Sequence, residues 1–424
     1  MRDGGRLAAA IEVLTDIDTR HKPARLALKA WGDAARYAGS KDRAFVAGLV
    51  LDVLRRKRSL AWRMGADGPR AAALGVLRFG WAWPLERIAE AAAEDPHGIG
   101  ALTEAEVAVL TLPRSLDDAP AAVAGDYPDW AEASLARVFG DDRAAEGAAL
   151  AERAPVDLRA NRLKTDPDRA AKALQPLRAQ PAGLLPDAFR IPAPAATERT
   201  GAVETIPAFG KGWFEVQDLG SQLAAAVAGE VKGKQVLDFC AGGGGKTLAL
   251  AAAMGNTGQL YAHDSDARRM ADVIPRAARA GVRNLQVRSP VEKDPLRGLQ
   301  GKMDVVFVDA PCTGSGTWRR HPDTKWRLTA ETLAKRQAEQ DAVLDQAAPL
   351  VKPGGRLIYV TCSIFAEENE DRVAAFLARH PAFKATPVTL DAVADRVTPD
   401  GYLRLSPRTA ATDGFFAAIL ERTA

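Results

Sequence analysis

Cysteine is scarce, with three residues in a chain of 424. That rules out the disulfide framework of small secreted domains and points to reduced thiols in a cytoplasmic protein. Histidine is scarce as well. The five histidines are scattered, so no metal-ligand spacing is visible and no metal is expected. No apolar run approaches the roughly 20 residues of a membrane-spanning helix, so a membrane partner is not expected. The opening MRDGGRLAAAIEVL interrupts its apolar positions with Asp3 and Glu12, unlike a secretory leader. There is no internal repeat, and no low-complexity tract beyond a richness in alanine. A net charge of +3 permits a nucleic-acid partner without requiring one.

What is present is ordinary globular material, 47% hydrophobic and 26% charged, on a length that suits two or three domains. A monomer is the default expectation. The charge is uneven: residues 1–70 hold 15 Lys/Arg against 8 Asp/Glu, an excess of 7. The run Arg55, Arg56, Lys57, Arg58 suits either RNA contact or a solvated helix face. Residues 5–95 read as helices, since Leu7, Ile11 and Leu14, then Phe45, Leu49 and Val53, recur at helical spacing. Leu112 to Pro120 reads as a loop, and Trp130 to Arg153 as further helix. The proline-rich stretch 155–210, with VDLRANRL and FRIP, suits a small α/β unit.

From about Trp213 strand and helix alternate. VLDFC, QLYAHD, LQVRS, MDVVFVDA and GRLIYVTCS read as strands. LALAAAM, ARRMADVIPRAARA, Ala330 to Leu350 and 367–378 read as helices, and GYLRL and GFFAAIL close the chain as strands. This alternation predicts a mostly parallel sheet covered by helices.

A glycine loop, Cys240-Ala241-Gly242-Gly243-Gly244-Gly245-Lys246-Thr247, joins the first of those strands to its helix. Such a turn lets backbone approach a ligand closely. A nucleoside triphosphate loop would need glycine where Cys240 stands, and the dinucleotide spacing fails at Thr247 and Leu248. S-adenosylmethionine remains. Its ribose calls for an acid at the end of the next strand, and Asp264 stands there. Asp264 could instead cap the next helix, but Asp266 is equally placed for that.

Two further strands end in cysteine: Asp309-Ala-Pro-Cys312 and Thr361-Cys362-Ser363. Ligands of open α/β sheets bind beyond the carboxyl ends of strands, which puts both thiols on the rim of the glycine loop. Cys240, inside the first strand, reads as structural. Two thiols and an acid fit methylation at the C5 carbon of cytosine. A thiolate adding to C6 makes C5 nucleophilic, an acid holds the N3 and N4 edge, and a base later removes the C5 proton. The loop after Cys312 interleaves Trp318, Arg319, Arg320, Lys325 and Trp326, which suits phosphate and base contact; a surface loop with two core tryptophans is the bland reading.

VLDFCAGGGGKT, VFVDAPCTGSGTWRRHPDTKW and LIYVTCSIFAEENE, flanked by EVQDLGSQLAAAVA and DGFFAAILER, resemble the signature blocks of the Fmu/Sun (RsmB-like) RNA cytosine-5 methyltransferases. GRLAAAIEVL and SKDRAFVAGLVLDVLRRKRSL resemble a NusB-like RNA-binding domain, which points to ribosomal RNA. The resemblance implies a Rossmann-like class I domain with a seven-stranded sheet at 213–424. It places a NusB-like domain at 1–124 and a linking region at 125–212. It implies that Cys362 attacks C6, that Cys312 assists release, and that Asp309 holds the cytosine edge and touches the cofactor. Ala241, Gly242, Gly243, Gly244, Gly245 and Lys246 would line the methionine end of S-adenosylmethionine, and Asp264 would bind the ribose.

Two departures stand out. Gly243 replaces the family's usual proline, and Ser289 stands where an aspartate usually lies near the adenine. Two other readings stay open. A DNA-type enzyme would attack with Cys312, and an assembly factor would keep the fold without catalysis. The second cysteine and the NusB-like region argue against the first, and Asp309, Cys312 and Cys362 together disfavour the second.

Overall fold

A computed structural model describes residues 1–198, 201 and 203–423. The N-terminal periodicity folds as expected. Helices Asp3–Arg20 and Ser40–Arg55 bury Leu7, Val13, Leu14, Phe45, Leu49 and Val53 against one another and against Pro69–Gly75 and Leu85–Ala92. Ile11 is only half-buried. The Thr103 hydroxyl accepts the Glu106 N–H and starts the helix Glu104–Thr111. The expected long helix after Trp130 is broken instead, into Glu132–Phe139 and Arg143–Leu150. Gly140 lies between them with φ 55°, a conformation that stops a helix.

The chain forms two compact units: Met1–Arg153 with Pro194–Arg199 and Trp318–Leu328, and Ala154–Ala193 with Thr200–Thr317 and Thr329–Ala424. The boundaries differ from those expected at 124/125 and 212/213. Residues 125–153 join the helical unit because Asp126 accepts the backbone N–H groups of Arg58 and Ser59, and Arg153 reaches Asp52 at 2.6 Å. Residues 154–193 belong with the second unit because their central strand pairs with residues 214–216.

That unit holds two sheets. The smaller is antiparallel, with β1 (Val156–Ala160), β2 (Gln180–Pro181), β3 (Ala188–Ile191) and β4 (Phe214–Val216) in the order β2-β3-β1-β4. Leu158, Phe189 and Phe214 pack there on the helix Pro167–Leu174.

The larger sheet contains β5 (Gln235–Asp238), β6 (Gln259–His263), β7 (Leu285–Arg288), β8 (Met303–Asp309), β9 (Val351–Thr361), β10 (Phe383–Thr386), β11 (Leu403–Leu405) and β12 (Phe415–Arg422). Its path runs β10-β12-β9-β8-β5-β6-β7, and β11 also pairs with β12. Strands β5 to β9 are mutually parallel, and β12 runs against β9. The sheet therefore has eight strands rather than seven. Both β10 and β11 lie along the outer edge of β12, the first against 419–422 and the second against 415–417. The central strands read as continuous apolar runs because both faces are covered: Val236, Leu237, Val306, Phe307, Val308, Leu357 and Ile358 are fully buried.

One expected helix is shorter than its pattern. Residues 267–272 form turns, and the helix is only Val273–Ala280. Pro275 has no N–H to offer the carbonyl four residues back, so it is tolerated only in a first helical turn.

Chain order reverses between β5 and β8. From β5 the chain steps outward to β6 and β7, then returns to β8 on the other side. A crevice for ligands opens outside the carboxyl ends at such a reversal.

Candidate active site

The glycine loop leaves β5 at that crevice. Gly242 and Gly244 have φ of 50° and 85°, values that a side-chain-bearing residue adopts with strain. Gly242 to Gly245 carry no side chains and end at the N-terminus of the helix Gly245–Met254, so a ligand could approach the backbone closely there. Arg276 donates to the Gly243 carbonyl and is held in turn by Glu215 at 3.0 Å. This brace steadies the loop where the resemblance led one to expect proline.

Asp264 follows β6 and is 2% exposed. One of its oxygens accepts the Gly242 N–H at 3.0 Å and faces Arg269 at 3.4 Å; the other accepts the Asp266 N–H at 3.0 Å. Asp266, not Asp264, caps the following turn by accepting the Arg268 N–H. Asp264 thus carries the glycine loop on its carboxylate. Ser289 lies just past β7 on the same rim, its N–H directed to Glu292 at 3.3 Å.

Across the reversal, Asp309 ends β8 and its carboxylate meets the Lys246 ammonium at 2.6 Å. Burial works against the Lys246 charge, but Asp309, together with Cys362 and Asp238, outweighs it and holds the ammonium above its ordinary value. The Phe415 ring lies 5.2 Å from the same ammonium. Lys246 is therefore a fixed cation beside Asp309.

Cys312 and Cys362 come together from β8 and β9, with 3.3 Å between sulfurs. That separation is a thiol hydrogen bond, well beyond the roughly 2.05 Å of a disulfide. The hydrogen bond with Cys362, then burial, then the nearby Cys362 and Glu368 charges push the Cys312 thiol well above its ordinary value. Cys240 is also pushed up, by burial and then by Asp238, Asp264 and Asp309, which fits a structural thiol.

Two chain crossings hold this geometry. The Gly316 N–H donates to the Cys362 carbonyl at 2.9 Å, and the Gly414 N–H donates to the Gly316 carbonyl at 2.8 Å. A Cβ on Gly316 would come within 2.1 Å of the Gly414 carbonyl oxygen, so glycine is required there.

A family profile described as 16S rRNA methyltransferase RsmB/F matches residues 226–421. "Probable ribosomal RNA small subunit methyltransferase B" of Synechocystis sp. is 32% identical over 307 residues, which is 70% of this chain and 67% of that protein. The chain belongs to the RsmB/F family of 16S rRNA methyltransferases. Ribosomal RNA small subunit methyltransferase B of Citrobacter koseri is 33% identical over 297 residues, 69% of this chain and 66% of its own. The solved structure of PH0851 shares the fold over 100% of this chain and 99% of its own, with a TM-score of 0.73 and 24% identity. The RsmB/F family methylates RNA and takes S-adenosylmethionine as cofactor.

Placed in the RsmB/F fold, the residues expected to touch RNA need correction. Lys325 is 1% exposed, Arg319 4% and Arg55 6%, all inside the helical unit. The last carbonyls of a helix have no partner within it. At the end of Ser40–Arg55, Lys325 donates to the Arg55 carbonyl at 2.9 Å and the Trp326 indole to the Leu54 carbonyl at 2.6 Å. Arg55 itself pairs with Asp52 and donates to the Arg319 carbonyl. Arg56 is half-buried and pairs with Glu152 at 2.7 Å, and Arg320 is half-buried. Trp318, Arg319 and Lys325 are buried in packing, which departs both from RNA contact and from a surface loop with two core tryptophans. Among the described residues no helix is long and apolar enough to cross a membrane, and no group of acids, histidines and cysteines has metal-binding geometry.

Two residues of the site carried no role in the sequence reading. Asp238 is fully buried at the end of β5, where it accepts the Thr247 hydroxyl. Burial raises it to about 7. Glu368 is fully buried between the two cysteine loops. Both lie inside quoted motifs, but a buried acid and a surface acid look alike in sequence.

Proposed function

We propose that this RsmB/F protein methylates C5 of a cytosine in ribosomal RNA through a covalent adduct between Cys362 and C6. The observation that carries this reading is the thiol pair, two sulfurs 3.3 Å apart at the ends of adjacent strands, together with the Asp309–Lys246 ion pair. A thiolate gains when a neighbouring S–H donates to it, so the arrangement favours Cys362 as the nucleophile.

Asp309 would hold the N3 and N4 edge of the base, with its carboxylate steadied by Lys246. Addition of Cys362 sulfur to C6 moves electron density onto C5. Bound S-adenosylmethionine supplies an electrophilic methyl group. It would be held by residues 241–246, by Asp264 at the ribose and by Ser289 near the adenine. A base then takes the C5 proton, with the Cys312 thiol beside the adduct assisting release, the C5=C6 bond reforms, and Cys362 leaves as thiolate. The helical unit would contribute RNA binding in the manner of a NusB-like domain. A DNA-type mechanism would need Cys312 as the thiolate, against the upward shift of its thiol.

Covalent trapping tests the assignment. Wild type, Cys312→Ala and Cys362→Ala are incubated with S-adenosylmethionine and ribosomal RNA, then run on a denaturing gel. A stable protein–RNA adduct is expected in Cys312→Ala and absent in Cys362→Ala. An adduct in Cys362→Ala alone would exchange the two roles.

A further inference from the structure

One buried carboxylate touches both cysteine loops. Glu368 accepts the Thr313 N–H at 2.8 Å and the Gln340 side-chain amide at 2.9 Å on one oxygen, and the Thr313 and Ser363 hydroxyls on the other. Thr313 directly follows Cys312, and Ser363 directly follows Cys362. The residue after each cysteine is thus tied to the same group. Gln340 extends the tie by donating to the Pro311 carbonyl, on the other side of Cys312, at 2.9 Å. Asn369 secures the second loop by donating to the Ser363 carbonyl at 3.0 Å and accepting the Thr361 hydroxyl at 2.6 Å.

The chemistry of this set is one-sided. Four donors converge on two carboxylate oxygens, which suits an ionised group. Burial pushes Glu368 upward, and the Ser363 and Thr313 donors oppose it. None of these contacts reaches a sulfur, so Glu368 is no catalytic residue in the strict sense. Its place is behind the thiols, where it governs their spacing and the local charge.

We propose that Glu368 is the positioning residue of the thiol pair: it fixes the sulfur–sulfur approach through Thr313 and Ser363, and its negative charge, bound twice by the residue after Cys312 and once by the residue after Cys362, disfavours a thiolate on Cys312. The idea deepens the reaction proposed above and rests on that reading for its purpose. Its direct consequence is chemical and precedes any turnover, because Cys362 must be the more reactive thiol in the free enzyme.

Iodoacetamide labelling of the full-length protein, followed by peptide mapping, reads this without RNA or cofactor. In wild type, Cys362 is expected to react faster than Cys312 by at least about tenfold, the ratio given by one pKa unit. Glu368→Gln keeps the shape and removes the charge, and should bring the two rates towards equality. Glu368→Asp, which keeps the charge, should restore part of the preference. A purely structural role would predict similar damage from both substitutions. Should Glu368→Gln fail to fold, Thr313→Val removes one hydroxyl donor while leaving the carboxylate in place, and should also lower the ratio. An unchanged ratio in a folded Glu368→Gln or Thr313→Val protein overturns the proposal. Because labelling needs no turnover, that result would leave the RNA reaction untouched. Failure of covalent trapping with the labelling preference intact would do the reverse.

Discussion

Lys325→Met separates two opposing consequences of burying an ammonium group in the helical unit. An ordinary lysine titrates at about 10.4. Burial brings Lys325 down to about 8, with Asp126 opposing the shift. Keeping the charge inside therefore costs about 3 kcal/mol at pH 7, at about 1.36 kcal/mol per pKa unit. Methionine removes that cost but also removes the donor to the Arg55 carbonyl. A buried carbonyl left alone costs about 1–3 kcal/mol, so the variant and wild type should be close in stability at pH 7. The pH dependence separates them. Between about 8 and 10.4 the unfolded chain binds more protons than the folded one, so wild type gains stability as pH rises. By pH 9.5 the wild-type cost has fallen to about 1 kcal/mol, and Lys325→Met should lose about 2 kcal/mol relative to wild type over that interval. Urea unfolding followed by tryptophan fluorescence, at pH 7 and 9.5, measures the difference. A gap between variant and wild type that does not change with pH would refute the reasoning.

Two further predictions concern the second unit. Asp264→Ala frees the glycine loop and should weaken S-adenosylmethionine binding by roughly 1.5–3 kcal/mol, the worth of a hydrogen bond to a charged group; unchanged affinity by calorimetry would remove Asp264 from the cofactor. Gly316→Ala forces a Cβ against the Gly414 carbonyl. It should cost about 1–3 kcal/mol of stability and abolish adduct formation, and a variant with wild-type melting and activity would show that this crossing gives way freely.

Much of the second unit was legible because its signals are local. Strands β5, β8 and β9 hold apolar runs, and the turns after the parallel strands hold the residues proposed for the chemistry, so Asp264, Asp309, Cys312 and Cys362 all fell at strand ends. The limits of that reading have physical causes. Pro275 cuts a helix whose apolar spacing runs further upstream, a case of one missing donor outweighing a periodic pattern. The strand β11 is three residues long and gains its place from β12, which no local pattern announces. The basic residues misled for a similar reason. Arg55, Arg319 and Lys325 carry charge that suits RNA, yet all three are buried in the helical unit, Arg55 on Asp52 and the Arg319 carbonyl and Lys325 on the Arg55 carbonyl. Glu368 looked like one acid in the acidic stretch AEENE, and only the fold shows it facing inward.

The outer side of β12 has a consequence for the protein's behaviour in a crowded solution. An eight-residue strand left open there would offer a continuous ladder of N–H and C=O groups, a template on which another chain could crystallise into fibre. The two short strands divide that ladder between them, four residues to β10 and three to β11. Lys384 on β10 adds a charge at the new margin, 3.9 Å from Glu421. Any chain approaching this margin meets a stub too short to extend and a cation it would have to strip of water, so the most apolar sheet of the molecule is guarded where it would otherwise be most adhesive.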